Sequence, residues 1–215
     1  METGLIVTDK DVAGDPRFRL LHAALGAFAE SGYRGATTRR IAEMAEVNEV
    51  TLFRLFGSKK ALLEQAVELS QSSTAGVADA YLPEEPGDVE AELGAWARVH
   101  WKAMRERRAV IRKMMSELEE HPHMNACLSD GWKKSHAALD RYLHRLKERG
   151  DIARDMSLTT AVAMLTGTLF ADAMGRDIKK HTFPAERTAV AEYTALFVRA
   201  LGYARPAAFT ARATH

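Results

Sequence analysis

From Asp15 onward the apolar residues of this chain return at helical spacing, and nowhere do apolar and polar residues alternate over a strand-length run. Phe18, Leu21, Ala24, Leu25, Phe28 and Ala29 trace one stripe. Asp15 is suited to cap that helix, Pro16 to open it and Ser31-Gly32 to stop it. Residues 38–45 carry Ile41, Met44 and Ala45 on one side. A break at Glu46-Val47-Asn48 precedes a brief helix with Leu52, Leu55 and Phe56, closed by Gly57. Ser58 can cap a further helix through Leu62, Leu63, Ala66 and Val67. Residues 71–88, rich in Ser, Gly, Pro and acid, read either as a connection or as a frayed helix end. Helical patterns resume over 89–107, 109–120, 123–149, 157–174 and 185–202, with Pro122, Gly150 and Pro184 as punctuation. The expected fold class is all-α.

Composition narrows the class. Of 215 residues, 47% are hydrophobic and 27% charged, which is enough apolar material for a core and excludes global disorder. No stretch approaches the roughly 18 uncharged apolar residues of a membrane-spanning helix, so no membrane partner is expected. The opening METGLIVTDKDVAGD lacks the basic flank and apolar run of a secretory signal. Cys127, the single cysteine, excludes an internal disulfide framework, and the expected location is the cytoplasm. A net charge of +1 excludes a polycation. Residues 34–60 nevertheless set six basic side chains against three acidic ones, an excess of +3 that leaves −2 for the rest. Arg39 and Arg40 fall in the first turn of a helix that Thr38 can cap. The helix dipole disfavours cations there by about 0.3–1 kcal/mol each, so an anionic partner near that terminus is expected, and phosphate fits its free N–H groups.

Two short helices joined by a tight turn form a helix-turn-helix, locked by Ile41, Ala42, Val47, Leu52 and Phe56. Asn48 caps the second helix, which exposes Glu49, Val50, Phe53 and Arg54 for the major groove. On periodicity alone, an ordinary helical hairpin without a ligand fits the same residues. The stretch GATTRRIAEMAEVNEVTLFRLFGSKKALLE, residues 35–64, resembles the DNA-binding domain of the tetracycline-repressor (TetR) family. Phe28, Gly32, Thr37-Thr38, Ile41-Ala42, Ala45, Val47, Thr51-Leu52-Phe53, Phe56, Lys59 and Leu62 carry the resemblance.

The resemblance implies an N-terminal three-helix helix-turn-helix domain over 16–68 and a C-terminal helical effector-binding and dimerisation domain over 69–205. It implies that Thr38 meets a phosphate through its hydroxyl and that Arg39 reaches a base edge or phosphate. Glu49, Val50 and Thr51 would then lie against bases, beside Asn48 and Phe53, with Arg54 and Lys59 on the backbone. Four departures stand out, one being Leu55 in place of the last aromatic or histidine of the helix, where burial is expected instead of DNA contact. Glu46 occupies the family's turn glycine, Phe53 its phenolic tyrosine, and Val50 a position that is normally small. The methyls of Val50 suit a thymine methyl.

All three tryptophans fall in residues 96–132 among several methionines. A helical core of adaptable side chains accounts for them, and so does a pocket for an apolar or aromatic effector at Trp96, His100, Trp101, Met104, Met115 and Trp132. His121, His123 and Cys127 lack a second ligand pair at zinc spacing, and no nucleophile or phosphate-loop motif is present. Neither a metal, a cofactor nor an enzyme is expected. Residues 158–174 are apolar or small nearly all round except Asp172, and 189–201 repeat an apolar stripe at Val190, Tyr193, Leu196, Phe197 and Leu201. The resemblance implies that these two helices pair two subunits into a homodimer. The implied function is a DNA-binding transcriptional regulator, a repressor released by a small apolar ligand from a pseudo-palindromic double-stranded operator. The alternative is a ligand-independent DNA-binding protein controlled by a protein partner.

Overall fold

The computed structural model describes residues 14–121, 125–179 and 181–203, without the side chains of 71–79, 125–132, 134 and 135. Among these residues nine helices and no strand are present: α1 (Pro16–Gly35), α2 (Thr38–Met44), α3 (Glu49–Phe56), α4 (Lys59–Asp79), α5 (Val89–Glu106), α6 (Arg108–Glu117), α7 (Asn125–Arg149), α8 (Leu158–Gly175) and α9 (Glu186–Ala200). The expected all-α class is what the chain adopts. The boundary at 71–88 resolves in favour of helix as far as Asp79, where α4 ends.

Contacts divide the chain into two compact units. Of the described residues, the first takes 14–73, 107–121 and 125–131, and the second takes 74–106, 132–179 and 181–203. The chain therefore does not divide at one cut near residue 68. Helix α6 packs on α1, with Met114 fully buried in a core shared with Leu20, Ala24, Phe28, Ile41, Leu52, Leu62 and Leu63. A short N-terminal unit has too little surface of its own to enclose that core, and α6 completes it.

Local signals shape the first unit. Asp15 caps α1 by accepting from the Arg17 amide at 2.8 Å, with Pro16 in the first turn. Gly32 takes φ 71° and ψ −172°, so α1 kinks where a stop is expected and then continues for one more turn. Glu46, the residue in place of a turn glycine, has φ 52° between α2 and α3. That left-handed conformation is uncommon for a residue with a Cβ.

In the second unit α5, α8 and α9 pack on one another. By length and composition α8 is apolar enough to cross a membrane, which corrects the expectation that no stretch approaches that limit. Half of it is buried inside the unit, and Asp172 sits on it at 0% exposure. An ionisable group held within protein marks it as a core helix.

Candidate nucleic-acid interface

The helix-turn-helix is built from the inside out. Ile41, Ala42, Leu52 and Phe56 are buried, and Val47 is partly so, which fixes α2 against α3. Asn48 caps α3 by accepting from the Val50 amide at 2.9 Å. With Leu52 and Phe56 turned inward, the opposite face presents Val50 at 72% exposure, Phe53 at 46% and an exposed Arg54. Thr51 is half-buried between these faces, and Leu55 packs on the core.

Helix α2 differs from expectation at its start. Thr37, not Thr38, is the cap and accepts from the Arg40 amide at 3.3 Å. Adjacent threonines offer the same hydroxyl, and only backbone geometry separates them. Thr38 Oγ1 instead donates to Glu49 Oε1 at 2.5 Å, joining the starts of α2 and α3. In that arrangement the hydroxyl cannot donate to a phosphate. Arg39 is exposed and pairs with Glu43 at 3.0 Å. Arg40 bonds Ser31 and Glu30, so it serves the fold.

Lys59 also has partners of its own. Its Nζ donates to the Tyr33 carbonyl at 2.7 Å and lies 4.3 Å from the Tyr33 ring centroid. Partial burial lowers its pKa from the ordinary lysine value, against the opposing field of Glu117. Glu117, absent from the sequence expectations, accepts from the Tyr33 amide at 2.7 Å through Oε2. No local pattern marks a contact between residues 84 apart in the chain.

The effector residues divide between the units. Trp96, His100, Trp101 and Met104 lie on α5 in the second unit. Met115 lies on α6 in the first, 49% exposed. The side chains of Cys127 and Trp132, and residues His123 and Met124, fall outside what is described. Trp96 is fully buried, stacks on His100 with ring centroids 4.9 Å apart, and finds no acceptor for its indole N–H among the described residues. Trp101 donates to Asp172 at 3.0 Å. Two clefts of this unit have other residues in their walls. One of about 340 Å³ has Asp88, Gly94, Arg98 and Thr194 in its wall. Another of about 320 Å³ is lined by His136, Asp140, Thr159 and Val162.

Asp172 organises the second unit. Its carboxylate accepts from Trp101, from Arg176 Nε at 2.8 Å and again from Arg176 Nη2, and from the Tyr193 hydroxyl at 2.7 Å. Burial alone pushes this carboxyl up, but the hydrogen bonds from Arg176, Tyr193 and Trp101 outweigh it and hold its pKa below the ordinary 3.8.

A capped three-helix head with a solvent-facing second helix defines the class of helix-turn-helix regulators. The family model for bacterial regulatory proteins of the tetR family matches residues 20–66. The model for the tetracyclin repressor-like C-terminal domain matches residues 83–183. Together they take in more than half of the chain, which belongs to the TetR family of transcriptional regulators, not to a family of enzymes. The chain is 36% identical over 75 residues to the uncharacterized HTH-type transcriptional regulator YvkB of Bacillus subtilis (strain 168). That stretch is 35% of this chain and spans 38% of the length of that relative. Among solved structures, a putative TetR-family regulator from Mesorhizobium loti MAFF303099 superposes with a TM-score of 0.72 at 18% identity, covering 88% of this chain and 96% of the other. The fatty acid degradation regulator FadR from Bacillus halodurans gives 0.70 at 21% identity, covering 89% and 98%. FadR from Bacillus subtilis, solved with stearoyl-CoA, gives 0.65 at 16%, covering 85% and 96%. These structural likenesses speak to the fold.

Proposed function

We propose that this chain is a repressor that reads a pseudo-palindromic operator as a homodimer in the cytoplasm. The observation that carries the reading is the face of α3, where Val50, Phe53 and Arg54 stand in solvent on a helix anchored by buried Leu52 and Phe56. Side chains of these types suit thymine methyls and phosphates in a major groove. Arg39 and Thr51 flank them. Pairing of two copies through α8 and α9 is supported by exposed Met164 and Leu196, and by Gly167, where an added Cβ would meet nothing within 4 Å. Two recognition helices then enter successive major grooves.

An apolar effector in the second unit favours a state in which the two helices no longer match the groove spacing, through its differential affinity for the two states. Support comes from the buried indole N–H of Trp96 beside His100, without an acceptor among the described residues, which suits an apolar molecule carrying one hydrogen-bond acceptor. The test begins with randomised-site selection on duplex DNA using the full chain, followed by band-shift on the recovered duplex. Planar hydrophobic compounds and stearoyl-CoA are then titrated while tryptophan emission is read. Recovery of a two-fold symmetric motif, with release of DNA that tracks the emission, is expected. Failure to recover any motif overturns the DNA reading. Release without a change in emission moves the effector away from α5.

A further inference from the structure

The kink in α1 is occupied. An ideal Cβ at Gly32 would lie 1.7 Å from Glu117 Oε1 and 2.8 Å from Lys113 Cε, so a side chain there would displace the Glu117 carboxylate, and glycine alone adopts φ 71° at no steric cost. The kink turns the Tyr33 amide toward α6, where Glu117 Oε2 takes it in a charge-assisted hydrogen bond. The other end of the same residue's backbone, the Tyr33 carbonyl, accepts from Lys59 at the first position of α4. Lys113 lies 3.8 Å from the Glu117 carboxylate, and the Tyr33 ring packs on His121 with centroids 4.4 Å apart. One residue of α1 is thus held at its N–H by α6 and at its C=O by α4. Four residues further on, Thr37 caps α2.

We propose that Glu117 is a positioning residue for DNA reading: by holding the backbone of Tyr33 in the kink, it sets the direction in which α1 delivers α2 and α3 to the groove. The inference rests on the DNA-binding reading above. Stability of the head comes from its apolar core of Phe28, Ile41, Leu52 and Phe56, none of which involves Glu117. Removing the carboxylate therefore leaves the helices packed but loosens the angle at which the head meets DNA. Contacts to base edges need that angle, whereas sequence-independent attraction to phosphate does not.

The test uses the full chain, the duplex that the native protein recovers by randomised-site selection, and poly(dI-dC) as non-specific DNA. Glu117→Ala is expected to lower affinity for the selected duplex about tenfold or more while changing affinity for poly(dI-dC) by no more than about twofold. Glu117→Gln, whose amide oxygen still accepts the Tyr33 N–H, is expected to restore the ratio of the two affinities to within about threefold of native. That ratio is the readout because loss of folded protein scales both affinities alike. A native ratio in Glu117→Ala, or a Gln variant no better than Ala, overturns the proposal. If the native chain recovers no duplex at all, the DNA-binding reading falls, and the proposal with it.

Discussion

Each unit is organised around one carboxylate, and the two are used in opposite ways. Asp172 is fully enclosed and meets donors from three side chains, on α5, on α9 and just past the end of α8. Glu117 lies at the end of its helix, keeps some contact with solvent, and spends one oxygen on a single backbone amide. An enclosed carboxylate with a complete set of donors fixes packing, and its loss strands a buried cation. A carboxylate at a helix end that grips backbone fixes a direction, and its loss costs little packing. Polar groups of the same chemistry therefore report on different quantities, stability in one unit and geometry in the other.

The comparison breaks first at Asp172. Asp172→Ala leaves the largely buried Arg176 guanidinium without its partner and should cost about 3–5 kcal/mol in denaturant unfolding. A loss below about 1 kcal/mol would reduce the cluster to an ordinary surface pair. The pH dependence has a definite sign. Because the folded pKa lies below 3.8, the stabilisation is present in full above that value and lost as pH falls through the folded pKa. The difference in unfolding free energy between native protein and Asp172→Asn should therefore shrink as pH is lowered from about 6 to below about 3.

The two units also use glycine differently, which sharpens the contrast. Gly32→Ala places a Cβ against Glu117 at positive φ and should destabilise by about 1–3 kcal/mol, part of it recovered in the double variant Gly32→Ala/Glu117→Ala. Strict additivity in that cycle would mean that the two residues do not compete for the kink. Gly167→Glu meets nothing inside its own unit and should leave that unit's stability within about 0.5 kcal/mol of native. Sedimentation should nevertheless show monomers for it and for Ala171→Arg, with weakened operator binding. A full-strength dimer in both variants would move the interface elsewhere. The smallest effect expected is at Arg54. Arg54→Ala should lower the slope of log affinity against log salt by about one unit across all sequences. An unchanged slope would take Arg54 off the phosphate backbone.

What could be read in the sequence follows the range of the interactions. The Asp15 cap, the Glu46 turn and the inward Leu52 and Phe56 depend on neighbours within a few positions, and residue type with spacing is sufficient for them. Thr37 and Thr38 are chemically alike, so spacing assigns the cap to either, and the structure chooses Thr37. The resemblance assigns Lys59 to the phosphate backbone, and its hydrogen bond to the Tyr33 carbonyl 26 positions earlier has no local signal; Glu117 is silent for the same reason at 84. Asp172 stands out as the lone acid in an apolar helix, yet nothing local names Trp101 as its donor 71 positions earlier. Met115 joins the aromatic cluster by proximity in sequence, but α6 belongs to the other unit.

The placement of α6 has a consequence for the order in which the chain acquires its structure. Met114 completes a core whose other buried members end at Val67, so the first unit remains unfinished while the 46 residues from 68 to 113 are synthesised. At roughly 5–20 residues per second that is a wait of about 2–9 s, during which the core of Leu20, Phe28 and Leu63 lacks its last member. A fragment ending near residue 68 would remain in that state permanently, with an apolar flank open to aggregation. The shortest piece that contains the whole core must reach Met114, so in this chain the reading head is completed late although most of its residues come first.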